Sequence, residues 1–419
     1  MTVGAFFSGA KQLNIELEES VVILRGLRDD KGTQTLSGEV NVVLTRPMLC
    51  SKVIVKFVGK SLSLWSAETK GVVFNHEKVI HEQNVVLESW SDNPKQEGTL
   101  TPGLHRWPFH FIISNDLVET IECVKAKVSY YVSATIHKAG AIGMTKLRSR
   151  KDVLLLRTPD WSDNALVNNA LPSTFIVSER KLDICDASIC VEKSIASSGT
   201  QFPIVFKLSA NQKNVFIESI SVNLSEKRVF RLPEFKARRV DHFNFKMPLA
   251  DVECINDLDL TETNGVITQL DSKEMSRLLC VKNAHVPLDG GPFLYRIIFT
   301  LPTCDWLNHS STYSEIDIRH ALKIHIELSS PNRDITDIHL ESPLTILDCR
   351  LKEDFTALPT YKEALLAGDE IDESDLANKK PQDFFVCRSY LAFKKNGECS
   401  RKQKFCIEKS APPPSYDSI

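Results

Sequence analysis

Residues 315–328, EIDIRHALKIHIEL, alternate between apolar and polar side chains with a period of two. One side of this stretch is apolar apart from a histidine and carries Ile316, Ile318, His320, Leu322, Ile324, Ile326 and Leu328. The other side carries Asp317, Arg319, Lys323, His325 and Glu327. Successive side chains of a strand point to opposite faces of a sheet, so the pattern predicts a strand with one face on a core and the other in solvent. Burial of one face only is typical of antiparallel sheets.

Similar alternation recurs through most of the chain. It is found in LSGEVNVVLT (36–45), KVIVKFVG (52–59), AKVSYYVSATI (126–136), QFPIVFKLSA (201–210), NVFIESISVNLSE (214–226) and PFLYRIIFTLP (292–302). Between residues 1 and 350 no amphipathic helix longer than two or three turns is predicted. Strands separated by Gly, Pro, Asn and Asp clusters favour an all-β protein built from two tandem immunoglobulin-type β-sandwiches.

The polar, proline-bearing segment RTPDWSDNALVNNALPS (157–173) predicts a hinge between the two sandwiches. We place the first domain at residues 1–160 and the second at residues 172–350. Residues 351–419 hold the acidic run DEIDESD and then a basic stretch, which predicts a flexible, disordered C-terminal tail. Within this tail the apolar residues of 384–393 leave open a strand that docks on a sheet edge.

Composition limits the class of protein. Lys plus Arg number 51 against 54 Asp plus Glu, for a formal net charge of −3, which argues against a general nucleic-acid-binding protein. The N-terminal residues lack the features of a signal peptide, and no apolar run is long enough for a membrane span. Eleven cysteines at irregular spacing favour reduced thiols. We therefore expect a soluble cytoplasmic protein.

No catalytic template is present: the chain has no GxGxxG after a strand, P-loop, GxSxG or HExxH. Cys185 and Cys190 are close in sequence, but no second pair follows at zinc-finger spacing. His320 lies on the apolar side of its strand and is predicted to be a hydrogen-bonded core histidine rather than a ligand or base. We expect no enzyme activity, no cofactor and no metal.

The chain ends in APPPSYDSI, in which Pro413, Pro414 and Tyr416 form a PPxY motif. Consecutive prolines favour the extended polyproline II conformation, which WW domains bind in an aromatic-lined groove. The same ending also matches a YxxΦ endocytic pattern and a ligand for a PDZ groove, and these alternatives stay open.

A weaker LPxY form occurs earlier, with Leu358, Pro359 and Tyr361. Its tyrosine lies 55 residues before Tyr416, and a flexible chain of that length spans about 40 Å. Together the two motifs could bind a partner that carries several WW domains with increased avidity.

Two predicted sandwiches followed by a tail with PPxY and LPxY motifs resemble the α-arrestins, the arrestin-related trafficking adaptors. TPGLHRWPFHFIIS (101–114) is similar to the N-domain signature of that family, with Trp107 where an aromatic residue is usual, followed by Pro108 and Phe109. AKVSYYVSATI resembles the strand that closes the N-domain. GGPFLYRIIFTLP and IDIRHALKIHIEL are similar to the paired C-domain strands. Short loops and the tail look more like a fungal member than an animal one.

The resemblance implies an adaptor that brings a WW-domain HECT-type ubiquitin ligase to plasma-membrane transporters or receptors, promoting their ubiquitination, endocytosis and sorting. Pro413, Pro414 and Tyr416 would bind the WW domain, and Leu358, Pro359 and Tyr361 would form an auxiliary site. Such adaptors are often themselves ubiquitinated. They are cytoplasmic and are recruited peripherally to the plasma membrane, endosome or Golgi. The alternative is an arrestin-fold sorting or coat subunit that acts independently of ubiquitin.

Cytosolic tails of cargo and acidic phospholipids would need a basic surface. The candidate contact residues are Lys227, Arg228, Arg231, Lys236, Arg238 and Arg239. A solvated strand face is the alternative for this stretch. Visual-type arrestins join their domains through a buried charged network, and the sequence gives no sign of one here.

Overall fold

The computed structural model describes residues 10–66, 73–90, 98–138, 146–158, 176–255, 271–280, 283–289, 291–330 and 334–351. These residues form two consecutive sets of strands, each arranged as two sheets. We refer to the two sets as the first and the second sandwich. The all-β prediction is confirmed.

The first sandwich contains ten strands. They are β1 (Ala10–Leu17), β2 (Val21–Arg25), β3 (Thr33–Leu44), β4 (Met48–Ser66), β5 (Val73–Ser89), β6 (Gly98–Leu100), β7 (Gly103–Ser114), β8 (Ile121–Cys123), β9 (Ala126–Lys138) and β10 (Lys146–Thr158). One sheet has the order β1-β3-β7. The other has the order β2-β10-β9-β4-β5, with β6 on β4 and β8 on β9.

The inner faces of these two sheets form one hydrophobic core. Every second residue of β9 is buried there, as the alternation of AKVSYYVSATI predicted. Phe57 of β4 stacks on Tyr130 of β9 with ring centroids 5.6 Å apart. Trp107, in the segment that resembles the family signature, is buried, and its indole donates to Glu88 at 2.5 Å.

The second sandwich contains twelve strands and one short helix. They are β11 (Ile176–Lys181), β12 (Cys185–Val191), β13 (Ile195–Ser197), β14 (Gln201–Ala210), β15 (Phe216–Leu232), β16 (Ala237–Lys246), β17 (Leu249–Cys254), α1 (Ser272–Leu279), β18 (Val286–Pro287), β19 (Phe293–Thr300), β20 (Ser311–Thr312), β21 (Ile316–Ser329) and β22 (Ile335–Leu347). The sheets have the orders β11-β12-β14-β19-β17 and β13-β22-β21-β15-β16, with β18 on β15 and β20 on β21.

The seven-stranded sheets of the two sandwiches have the same plan. In each, a short strand pairs in parallel with the last strand of its sandwich, β2 with β10 and β13 with β22. In each, the path then continues through antiparallel pairs to a long hairpin, β4–β5 in the first and β15–β16 in the second. Strands β8 and β20 therefore occupy equivalent positions. The seven-stranded sheets of the two sandwiches therefore share one strand arrangement.

Apolar contacts join the sandwiches. Phe230, Leu232, Tyr313, Ile316 and Ile318 of the second sandwich belong to the hydrophobic core of the first. A smaller cluster combines side chains from both sandwiches, with Leu154, Leu156, Leu347 and Leu351 at its centre. Burial of this apolar surface favours a fixed arrangement of the two sandwiches.

Most of the predicted hinge lies outside the described residues; its first two positions, 157 and 158, end β10. The predicted tail begins at residue 351, the last described residue, and 352–419 are not described. The domain boundaries, the tail and the docking of 384–393 therefore stay predictions. Among the described residues no helix is long and apolar enough to cross a membrane.

Candidate functional site

The basic stretch predicted to contact anions forms the β15–β16 hairpin. A 3₁₀ turn, Pro233–Phe235, connects the strands, and Lys236 follows it in the left-handed conformation with φ 52°. Lys227, Lys236 and Arg238 are exposed. Arg231 and Arg239 are half-buried; Arg231 donates to the Ser314 carbonyl at 2.8 Å, and Arg239 donates to Asp241 at 3.0 Å. The three exposed side chains provide a positive surface on the second sandwich.

Arg228, the sixth predicted residue, is 6% exposed and does not belong to this surface. Its Nε donates to the carboxylate of Glu226, and its guanidinium carbon lies 4.1 Å from the centre of the Phe243 ring. Arg228 shares the inner face of β15 with Leu224 and Phe230, at i−4 and i+2. The expectation that it contacts cargo or lipid is wrong, since its charge is already neutralised inside the protein.

Glu226 is the centre of a buried polar cluster. Its Oε2 accepts from the backbone N–H of Asn308 at 2.9 Å and lies 2.9 Å from His320 Nε2. The other ring nitrogen of His320 lies 2.9 Å from Ser310 Oγ. Burial alone would raise the pKa of Glu226, but the hydrogen bond from His320 and the charge of Arg228 outweigh it and hold the pKa below its usual value. The prediction of a hydrogen-bonded core histidine at 320 is confirmed.

The cluster reaches the first sandwich through Asn308. Both atoms of its amide are satisfied when the nitrogen donates to the Glu122 carbonyl at 3.1 Å and the oxygen accepts from Arg228 Nη2 at 2.7 Å. The Glu122 side chain in turn accepts from Arg350 Nη1 at 3.2 Å. Arg350 also makes a two-pronged pair with Asp348, at 2.9 and 2.7 Å. We call these residues, with Glu226 and His320, the interdomain network.

At a second part of the interface, each sandwich contributes a basic side chain that contacts a carboxylate. In the first sandwich Arg157 Nε donates to Glu119 Oε2 at 3.3 Å. In the second, His309 Nδ1 lies 3.5 Å from Asp348 Oδ2. Glu119 also accepts from the hydroxyl of Ser311, so the two sandwiches meet directly here.

These two pairs line a cavity of about 410 Å³ between the sandwiches. Its apolar wall includes Leu27, Leu155, Ile195, Ile346 and Leu347. Arg157 pairs with Glu119 and His309 with Asp348, while Asp30 accepts from the Leu27 N–H. Ser310 also lines the cavity; its hydroxyl lies 2.9 Å from His320 Nδ1 and accepts from the Ile346 N–H at 2.9 Å.

Ion pairs also bridge the outer part of the interface. Lys125 Nζ lies 3.0 Å from Asp241 Oδ2, and Lys78 Nζ lies 2.8 Å from Glu315 and 3.0 Å from Glu234. Hydrogen bonds to Glu315 and Glu234 raise the pKa of Lys78 above its usual value. These partly exposed pairs contribute less than the buried network because water screens them.

The sequence predicted no buried charged network between the domains, but the structure contains one, the interdomain network. One signal was present: the alternation of β15 places Glu226 and Arg228 on the same side as its apolar residues. The partners of this pair come from residues 82 and 94 positions away, and sequence spacing could not identify them.

The predicted WW-domain motifs, Pro413, Pro414 and Tyr416 with Leu358, Pro359 and Tyr361, lie outside the described residues. They stay sequence predictions.

Comparison with known proteins agrees with the fold. Residues 27–160 match the family model described as "Arrestin (or S-antigen), N-terminal domain". An arrestin domain-containing protein of Schizosaccharomyces pombe is 22% identical over 80% of the chain, and a protein of the same yeast named as an arrestin-related trafficking adapter is 22% identical over 87%. A protein of Aspergillus fumigatus named "Probable HECT-type ubiquitin ligase-interacting protein" is 25% identical over 82%.

The chain spans 51%, 58% and 54% of the length of these three relatives, respectively. All three relatives are fungal proteins. The matched N-terminal domain and the relatives both support the α-arrestin family, the arrestin-related trafficking adaptors. The tandem sandwiches of the structure are consistent with it.

Proposed function

We propose that this chain is a non-enzymatic adaptor that recruits a WW-domain HECT-type ubiquitin ligase to plasma-membrane transporters or receptors, so that they are ubiquitinated, internalised and sorted. The PPxY motif of Pro413, Pro414 and Tyr416 carries this proposal, because an adaptor needs a ligand for the ligase and this motif is one. The name of the Aspergillus relative, a HECT-type ubiquitin ligase-interacting protein, supports it.

In this proposal the tail and the sandwiches have separate tasks. The prolines of PPxY lower the entropy lost on binding, and Tyr416 fills a second pocket of the WW domain. Leu358, Pro359 and Tyr361 form an auxiliary site that raises avidity for a ligase with several WW domains. The sandwiches bind the cytosolic tail of the cargo.

The exposed side chains of the β15–β16 hairpin suit contact with anions. Lys227, Lys236 and Arg238 form its positive surface, and the half-buried Arg231 and Arg239 contribute charge behind it. We propose that acidic cargo tails or acidic phospholipids bind here, which would place a cytoplasmic adaptor peripherally on the plasma membrane, endosome or Golgi.

The test is affinity purification of the intact chain beside a Tyr416→Ala variant. A HECT ligase that is recovered with the intact chain and lost with the variant is the expected result. Tyr361→Ala is the matched control, and it should reduce recovery only in part. Equal recovery with both tyrosines replaced would contradict the adaptor proposal and favour the ubiquitin-independent sorting subunit.

A further inference from the structure

Two histidines face each other on the outer surface of the second sandwich. His325 of β21 and His339 of β22 are direct partners in the antiparallel register. Their rings are parallel within 4°, with centroids 4.4 Å apart. The neighbours of His325 in β21, Ile324 and Ile326, are buried in the core, so the sheet directs His325 away from it. The two imidazoles are thus held side by side at the surface by the strands.

Two carboxylates lie in the next row of the sheet. The next outward-facing pair of the register is Glu327 with Asp337. Asp337 Oδ1 lies 3.1 Å from His325 Nε2, and Glu327 Oε1 lies 4.0 Å from His325 Nδ1. The second oxygen of Glu327 accepts from Ser219 Oγ at 2.9 Å, which fixes this carboxylate beside the histidines.

The geometry is close to that of a metal site. One ligand atom from each of His325, Asp337 and His339 lies within 4.8 Å of the other two. In a tetrahedral zinc site, bonds of about 2.0–2.1 Å place ligand atoms about 3.3 Å apart. His325 is half-buried, and Asp337 and His339 are exposed, so rotation of their side chains can close the remaining distance. The strands need not move.

The donor set selects the class of ion. Two imidazole nitrogens with one carboxylate oxygen is a zinc-type set that leaves a fourth position open. Imidazole also suits copper and nickel, whereas magnesium and calcium prefer oxygen ligands only. The row on the other side of the histidines pairs Lys323 with Glu341. The surrounding charges are therefore Asp337, Glu327 and Glu341 against Lys323, an excess of negative charge that favours a divalent cation.

We propose that His325, His339 and Asp337 bind a divalent transition-metal ion, with zinc as the expected ion, and that Glu327 is the adjacent carboxylate of the site. The bound ion joins β21 to β22 on the surface opposite the core. Its open fourth position accepts water or a donor from another molecule. The alternative is a solvated histidine–aspartate ion pair with no affinity for metal.

The experiment is a calorimetric titration of the full chain with zinc chloride, in reducing buffer, beside the variants His339→Ala and Asp337→Asn. The wild type should bind one more equivalent of zinc than His339→Ala, and Asp337→Asn should weaken that equivalent by about 10-fold or more. His110→Ala is the matched control, because His110 is an exposed strand histidine of the first sandwich. It should bind zinc as the wild type does, because it keeps His325, His339 and Asp337. Any zinc that the cysteines took up would be the same in all four proteins.

A second measurement, the thermal unfolding midpoint, shows whether the variants are folded. With EDTA present the thermal midpoints of all variants should equal that of the wild type, because the replaced side chains are at the surface. Zinc should raise the midpoint of the wild type and of His110→Ala, whereas magnesium should not. Equal zinc stoichiometry and equal affinity in wild type, His339→Ala and Asp337→Asn would overturn the proposal and leave the ion pair.

Discussion

Thr120 and Ser310 make the same hydrogen bonds at equivalent positions of the two sandwiches. The Thr120 N–H donates to the Leu155 carbonyl at 2.7 Å, and its hydroxyl accepts from the Leu155 N–H at 3.0 Å. The Ser310 N–H donates to the Ile346 carbonyl at 2.7 Å, and its hydroxyl accepts from the Ile346 N–H at 2.9 Å. Each hydroxyl thus satisfies a backbone N–H of β10 or β22 at the wall of the cavity between the two sandwiches.

Thr120→Val should lower the free energy of unfolding by about 1–3 kcal/mol, because the buried Leu155 N–H loses its acceptor. Ser310→Ala should cost more, since it also removes the partner of His320. Chemical denaturation checks both values. Thr120→Ser keeps the hydroxyl and is the control, so it should lose less stability than Thr120→Val. A Thr120→Val protein as stable as the wild type would contradict the role of the hydrogen bond.

Arg350→Met should destabilise the protein by about 3–5 kcal/mol, because Glu122 and Asp348 would stay buried without their shared cation. Arg150→Met is the matched control: Arg150 pairs with Asp152 at 3.0 Å, but both are more than half exposed, so the loss should stay below about 1 kcal/mol. Thermal unfolding of both variants measures the difference. Similar midpoints would mean that the buried pairs contribute no more than a surface pair.

Glu226 should make stability depend on pH in the acid range. Its folded-state pKa is held below the usual value of 4.5, so its contribution is complete above that pH. The contribution is lost as the pH falls through the folded-state pKa. Glu226→Gln should therefore be less stable than the wild type at pH 7 and should show a smaller decrease on acidification.

Denaturation curves between pH 7 and pH 3 test this prediction. Glu274→Gln, which alters an exposed glutamate of α1, should follow the wild-type curve. Parallel curves for wild type and Glu226→Gln would contradict the assigned role of the carboxylate.

Substitutions in the β15–β16 hairpin should distinguish the structural role of Arg228 from the surface role of Lys227, Lys236 and Arg238. Arg228→Ala should lower the free energy of unfolding by about 3–5 kcal/mol, because Glu226 loses a buried partner.

The triple variant Lys227→Glu, Lys236→Glu and Arg238→Glu should keep its thermal midpoint and lose affinity for vesicles that contain acidic phospholipids. Sedimentation with such vesicles checks the second part. Unchanged sedimentation would leave these residues as a solvated face.

Tyr416→Ala should weaken binding to an isolated WW domain by about 2 kcal/mol or more, roughly 30-fold, because an aromatic side chain that fills a pocket is a typical hot spot. Tyr361→Ala should have a smaller effect on a single domain. Titration calorimetry with the intact chain measures both. Equal affinity before and after Tyr416→Ala would remove PPxY as the WW ligand.

The sequence alone determined the strands of this protein. The alternation of Ile316 to Leu328 sets which face of β21 is buried, because side chains of a strand alternate between faces whatever the partner strand is. The tail motifs were also accessible from sequence, since a WW ligand is a local pattern of residues.

Only the tertiary structure decided which polar residues meet. Glu226 bonds His320 from 94 positions away, Arg350 reaches Glu122 across 228, and His325 faces His339 through a strand register. Such pairs depend on the packing of two sandwiches and on the alignment of strands. Neither produces a periodic pattern in the amino-acid sequence. For the same reason Arg228 looked like a surface cation beside Lys227, although the fold buries it against Glu226.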